Sequence, residues 1–173
     1  MTGLVRVATV ADLEDTRRLA ENLAEVMTAG DVIALSGGLG AGKTSFARHL
    51  IRALADDPAL TVPSPSFPLL QTYETPSGTE IWHLDLYRLS AGNDVWTLGL
   101  ADAFAEQTTL VIEWPERMRR LLRGTRLLWT RIHLLGESER SFRFTAFHPA
   151  WRERLADLFS PHDQSALAGA RGR

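Results

Sequence analysis

The sequence predicts an α/β protein of the phosphate-loop NTPase type: three layers around a central, mainly parallel sheet, with an antiparallel hairpin near the C-terminus. Three observations predict it. First, the compact apolar run "DVIALS" (31–36) leads into the glycine-rich turn "GGLGAGK" (37–43) and then into Phe46, Ala47, Leu50, Ile51 and Leu54 at helical spacing. Strand, turn and helix in about 25 residues is the unit from which parallel sheets are assembled. Second, two later β-rich runs, 81–86 and 108–114, carry acids near their ends, Asp85 and Glu113. Third, "TRLLWTRIHLL" and "SFRFTAF" flank a short turn region at 136–140, as two antiparallel strands would.

The remaining elements follow in chain order. Residues 5–7 read as a short first strand. Thr9 and Asp12 have capping-box spacing ahead of Leu13, Ala20, Leu23 and Met27, so a helix is expected to run until near Gly30. The three prolines of "VPSPSFP" (62–68) forbid a regular helix and favour an ordered loop or broken edge strand. Residues 90–107 read as loop plus a short helix around 100–106. Pro115 can open a helix through Leu122 that Gly124 ends, and a last helix is expected over 149–158.

With 173 residues and a net charge of −2, the chain is long enough for one sizeable core. The expected organisation is a single domain over 1–159 and a flexible tail over 160–173. The absence of cysteine excludes disulfides, iron–sulfur clusters and thiolate zinc sites. No run approaches the roughly 18 apolar residues of a membrane span, and the first residues do not read as a secretory leader. A cytoplasmic protein without a membrane partner is the expectation.

Gly37, Gly42, Lys43 and Thr44 satisfy G-x-x-x-x-G-K-[ST]. Glycines permit backbone N–H groups to turn toward a phosphate, and the helix that begins here adds its own free N–H groups and positive dipole end. Residues Gly38, Leu39, Gly40, Ala41, Gly42, Lys43, Thr44 and Ser45 are therefore the nucleotide-binding candidates. Lys43 can reach the outer phosphates and the Thr44 hydroxyl a magnesium ion. Lys43 is also the only lysine in a chain with 18 arginines. A guanine-reading Asn/Thr-Lys-x-Asp motif needs another, so adenine is favoured and the expected ligands are ATP and Mg2+.

Binding alone is not hydrolysis, which also needs a metal scaffold and an oriented water. In an open parallel sheet the C-terminal strand ends converge on the edge where the phosphate loop lies. Asp85 is the candidate for holding magnesium, directly or through water, and Glu113 for positioning water, with a metal-side role also open. The catalytic set is Lys43, Asp85 and Glu113; the metal set is Thr44, Ser66 and Asp85. Ser66, in its proline-stiffened loop, can reach a metal or sense the γ-phosphate; an ordinary turn serine is the alternative. His83 shares a strand face with Asp85, where a polar core role competes with direct chemistry.

These residues resemble those of the TsaE (YjeE) family, the ATPase subunit of the bacterial tRNA threonylcarbamoyladenosine apparatus. The resemblance rests on "GDVIALSGGLGAGKTSFARHL" (30–50), "VPSPSFPLLQTY" (62–73), "HLDLYR" (83–88), "LGL" (98–100) and "VIEW" (111–114), in family order over residues 13–114. It implies a cytosolic, magnesium-dependent ATPase that acts with TsaB and TsaD and reaches tRNA through that complex. Its hydrolysis supports multiple turnovers of threonylcarbamoyl transfer to N6 of adenosine 37 in tRNAs reading ANN codons. The resemblance carries phosphate and metal roles to Lys43 and Thr44, a metal role to Asp85 and a hydrolytic role to Glu113. Ser66 stands where the family usually has threonine, Gly38 where an aspartate is common, and Ser45 where a second threonine is usual. A phosphate-loop small-molecule kinase is the competing enzyme class.

The last third matches the family weakly. Residues 117–131 hold Arg117, Arg119, Arg120, Arg123, Arg126 and Arg131 with no acid among them. Such a run attracts RNA phosphate or an acidic partner, or else is simply the solvated face of a helix and strand.

Overall fold

The computed structural model describes residues 3–89 and 99–159. Seven strands form one sheet in the order β1-β7-β6-β2-β5-β4-β3. They are β1 (Leu4–Val10), β2 (Asp31–Gly37), β3 (Leu70–Glu74), β4 (Glu80–Asp85), β5 (Thr109–Glu113), β6 (Arg126–Leu134) and β7 (Arg140–Ala146). The four central strands, β6, β2, β5 and β4, are mutually parallel. Antiparallel strands extend the sheet on both sides, β3 beside β4 and the β7–β1 pair beside β6. The parallel centre and the C-terminal hairpin are thus those expected from the apolar runs.

Among the described residues four α-helices, α1 (Leu13–Glu25), α2 (Lys43–Leu54), α3 (Leu100–Ala105) and α4 (Pro149–Leu158), cover the sheet unevenly. On one face, Leu19, Leu23, Phe46, Leu50, Trp151 and Leu155 from α1, α2 and α4 pack on Ile33, Leu35, Phe142 and Phe144. On the other, Leu100 and Ala103 of α3 and Met118 and Leu122 of the following segment cover Val32, Ala34, Leu84, Leu110 and Ile112. β2 and β5 are buried on both faces, as central parallel strands must be.

Local chemistry revises several boundaries. The cap of α1 is Asp12 with Asp15, not Thr9 with Asp12. Asp15 N–H donates to Asp12 Oδ1 (2.9 Å) and Ala11 N–H to Asp15 Oδ2 (3.1 Å), which satisfies two donors reciprocally. The helix stops at Glu25 rather than near Gly30, because Thr28 N–H donates to Asp31 Oδ2 (2.8 Å) and ties the connection to the start of β2. Pro115 opens only a 3-10 turn, Pro115–Met118, followed by turns to Gly124. The strand β3 was not expected; as a half-exposed edge containing Gln71 and Thr72, it lacks the apolar density that marks its neighbours. Residues 62–68 are a loop, and α4 spans the expected residues. The expected tail at 160–173, and the 90–98 part of the expected loop, lie outside the described residues.

Asp31 ties the last helix to the first parallel strand. Its carboxylate is fully buried and receives Arg154 Nη1 (2.6 Å) and Nη2 (3.0 Å) from α4. Such a two-pronged pair is geometrically selective, but its members are interdependent, since a buried carboxylate without its cation is strongly unfavourable. Replacement of Arg154 by Met is expected to cost about 3 kcal/mol, read as a lowered urea midpoint at unchanged slope.

Candidate active site

Strand β2 delivers the chain to the loop, and the loop's backbone is one that side chains resist. Gly37 has φ +148°, and a Cβ there would lie 2.5 Å from the Ile132 carbonyl oxygen of β6. Gly42 has φ +105°, and a Cβ there would meet Arg140 Nε at 3.0 Å. Gly37 is required by both its backbone conformation and the close approach of β6, and Gly42 by its backbone conformation. Helix α2 then starts at Lys43, its first N–H groups directed to the loop's concavity.

Lys43 folds back over the turn. Its Nζ donates to the carbonyls of Gly37 (3.0 Å) and Gly38 (2.7 Å) and lies 3.8 Å from the centre of the Trp114 ring. Burial draws its pKa below the ordinary lysine value, opposed by the charges of Glu113, Asp85 and Glu116. Trp114 reaches this position because the chain turns sharply after β5: its backbone is left-handed (φ 57°), and its N–H donates to the Leu35 carbonyl (3.2 Å).

The two acids arrive by strand register. Asp85 and Glu113 are aligned partners at the ends of parallel β4 and β5, and Glu113 is aligned with Leu35 of β2. Asp85 Oδ2 accepts from the Ser66 hydroxyl (2.5 Å), and its Oδ1 from Tyr87 N–H (2.9 Å). Ser66 is also 2.8 Å from the Ser64 hydroxyl. Glu113, 2% exposed, accepts from Thr44 Oγ1 (2.8 Å) at Oε2 and from His83 Nε2 (2.9 Å) at Oε1. The other ring nitrogen of His83, Nδ1, is buried without a hydrogen-bond partner.

Lys43, Thr44, Ser45, Ser66, Asp85 and Glu113 thus line one cavity of about 330 Å3, with Leu39, Gly40 and Gly42 at its loop side. Gly38 and Ala41 do not line it. Gly38 contributes its carbonyl to Lys43, and the Ala41 side chain belongs to the core. Sequence reading missed four participants: Trp114 beneath the lysine, Ser64 beside Ser66, Tyr87, whose N–H holds Asp85, and Arg140, whose Nε donates to the Ala41 carbonyl (3.3 Å) from the start of β7. It left open the role of His83, which the fold joins to Glu113.

A phosphate-type loop facing paired acids is shared by many NTPases, so the family rests on the chain as a whole. The family model described as "Threonylcarbamoyl adenosine biosynthesis protein TsaE" matches residues 10–142. The chain belongs to the TsaE family. It is 38% identical over 132 residues to the tRNA threonylcarbamoyladenosine biosynthesis protein TsaE of Rickettsia bellii, covering 76% of this chain and 89% of that one. The TsaE protein of Bacillus subtilis is 32% identical over 150 residues, covering 87% and 90%. The crystal structure of YdiB from Bacillus subtilis superposes with a TM-score of 0.74 at 27% identity, over 94% of this chain and 99% of that one. Membership in the TsaE family makes the chain a phosphate-loop ATPase of tRNA modification and removes the kinase alternative.

Gly38, where an acid is common in the family by the resemblance above, tests how far this loop tolerates a side chain. A Cβ there meets nothing within 4 Å. Gly38→Asp is therefore expected to fold normally, with stability within about 0.5 kcal/mol of the parent in thermal or urea unfolding.

Proposed function

We infer that the cavity beside α2 binds ATP with magnesium, and that its hydrolysis sustains repeated threonylcarbamoyl transfer to N6 of adenosine 37 in tRNAs reading ANN codons. TsaB and TsaD are the acting partners, and tRNA is met through their complex. A single ATPase domain over residues 1–159 carries the activity. The observation that most supports this reading is the convergence of Lys43, Thr44, Asp85 and Glu113 from α2, β4 and β5 on one side of the loop.

The donor set suits magnesium. Among the described residues no three of His, Cys, Asp and Glu are grouped as a metal cage. The cavity offers instead the Asp85 carboxylate, buried like that of Glu113, with the hydroxyls of Thr44 and Ser66. Magnesium commonly takes one or two protein oxygens and completes its shell with phosphate and water. Bound there, the ion would neutralise charge on the phosphates. Thr44, Ser66 and Asp85 would hold that ion, and Ser66 and Asp85 are already joined by a hydrogen bond.

Leu39, Gly40, Gly42, Lys43, Thr44 and Ser45 receive the phosphates, mainly through backbone N–H groups. Lys43 exchanges its two carbonyl acceptors for phosphate oxygens. Glu113 orients the attacking water, and His83 fixes the carboxylate that does so. Among the described residues no helix is long and apolar enough to cross a membrane, and a cytoplasmic setting follows from the tRNA substrate of the pathway.

Lys43→Ala and Asp85→Ala are expected to weaken ATP–magnesium affinity tenfold or more. Glu113→Ala is expected to lower kcat by about 100-fold while affinity changes less than threefold. Equilibrium binding and phosphate release, each measured with and without TsaB and TsaD, check this. Equal loss of affinity in all three variants contradicts the division of roles, and hydrolysis unaffected by the partners contradicts their part.

A further inference from the structure

Half of the sheet has a face that no described helix covers. On β6, β7 and β1 the residues whose side chains alternate away from the α1–α2–α4 core align in rows: Trp129 with Thr145 and Val5, Arg131 with Arg143 and Val7, His133 with Ser141 and Thr9. Arg131, Arg143, His133 and Val7 are exposed. None of the side chains in these rows is acidic.

The middle row is unfavourable by itself. Arg131 and Arg143 are direct cross-strand neighbours, and like charges so placed repel. Neither has an ion-pair partner among the described residues. Beside them a groove of about 680 Å3 is flanked by Trp129 and Phe147, with Arg119, Arg123 and Arg152 around it. Arg119 lies 5.2 Å from the Trp129 ring centre, and Phe147 is 51% exposed. The basic run 117–131 is therefore divided: Arg126 is spent on the Ala29 carbonyl and Asp31, while Arg119, Arg123 and Arg131 join Arg143 and Arg152 from other elements.

Paired arginines beside the exposed Phe147 and the half-buried Trp129, whose indole N–H is held by Ser36 Oγ (3.0 Å), on a protein of net charge −2, match a polyanion with flat bases better than an acidic protein face. Guanidinium groups suit phosphate, and aromatic rings stack on any base. We propose that this uncovered face binds single-stranded RNA, with phosphates on Arg131 and Arg143 and a base in the groove against Trp129 and Phe147. The surface is distinct from the ATP cavity, so its test is separate from that of the hydrolytic reading.

The full chain is titrated into a fluorescently labelled single-stranded RNA of mixed sequence at several salt concentrations, and anisotropy is followed. Wild type is expected to bind with an affinity that falls with salt. Arg131→Ala with Arg143→Ala should weaken binding tenfold or more and reduce the log–log salt slope by about 1.4, roughly 0.7 per lost phosphate contact. Phe147→Ala should weaken it about fivefold or more. ATP hydrolysis by both variants should be unchanged. Absence of RNA binding, or an unchanged affinity in either variant, overturns the proposal. So does loss of association with TsaB and TsaD in the arginine variant with RNA binding intact, which would make the face an acidic-protein surface.

Discussion

Burial of the Glu113 carboxyl is the constraint around which the loop end of the sheet is arranged. A carboxylate removed from water is tolerated only where donors replace its hydration. Two elements besides its own strand supply them: α2 brings Thr44 and β4 brings His83. Parallel register between β4 and β5 makes the second contact, and the immediate start of α2 after the loop makes the first. The same register sets Asp85 next to Glu113, so the site's two acids are products of one pairing. Close packing on both faces of β2 and β5 keeps that pairing from slipping, since a one-residue shift would exchange side chains of different size between two filled faces.

The sheet's centre and the phosphate loop were legible because their signals are local. An apolar run, a glycine turn and a 3.6-residue period lie within one stretch, and α4 announces itself with Pro149 at its start. Glu113 and Asp85 were found by their place at the ends of apolar runs. The pairs His83–Glu113, Ser66–Asp85 and Arg140–Ala41 were not readable as contacts, because their partners are 30, 19 and 99 residues apart and meet only through strand order. Pro115 was misleading in a different way. It can start either helix type, and the left-handed Trp114 before it directs the chain into a 3-10 turn with Trp114 under Lys43. The edge strand β3 gave no signal, since half-exposed edge strands carry little apolar pattern.

The unequal cover of the sheet separates two kinds of surface. Between α3 and the α1–α2 pair, the parallel strands are enclosed and their ends are committed to the loop. Beyond β6 only one face is packed. There Phe142 and Phe144 point into the core, while Arg143 between them points out. Strand alternation alone puts a strong apolar anchor and an exposed cation on the same seven residues of β7.

The lysine folded over its own loop alters the thermodynamics of ligand capture. Its ammonium already has two carbonyl acceptors and an aromatic face, so a phosphate gains it only by exchange. The number of hydrogen bonds to that ammonium need not rise on capture. Selectivity then resides in the difference between a carbonyl and a charged oxygen as acceptors. A neutral ligand of the same shape gains little from that difference, whereas a polyphosphate gains at every oxygen the ammonium can reach. In the proposed binding mode Lys43 would act as a charge filter at the mouth of the loop, favouring oxygens that are stronger acceptors than the backbone carbonyls.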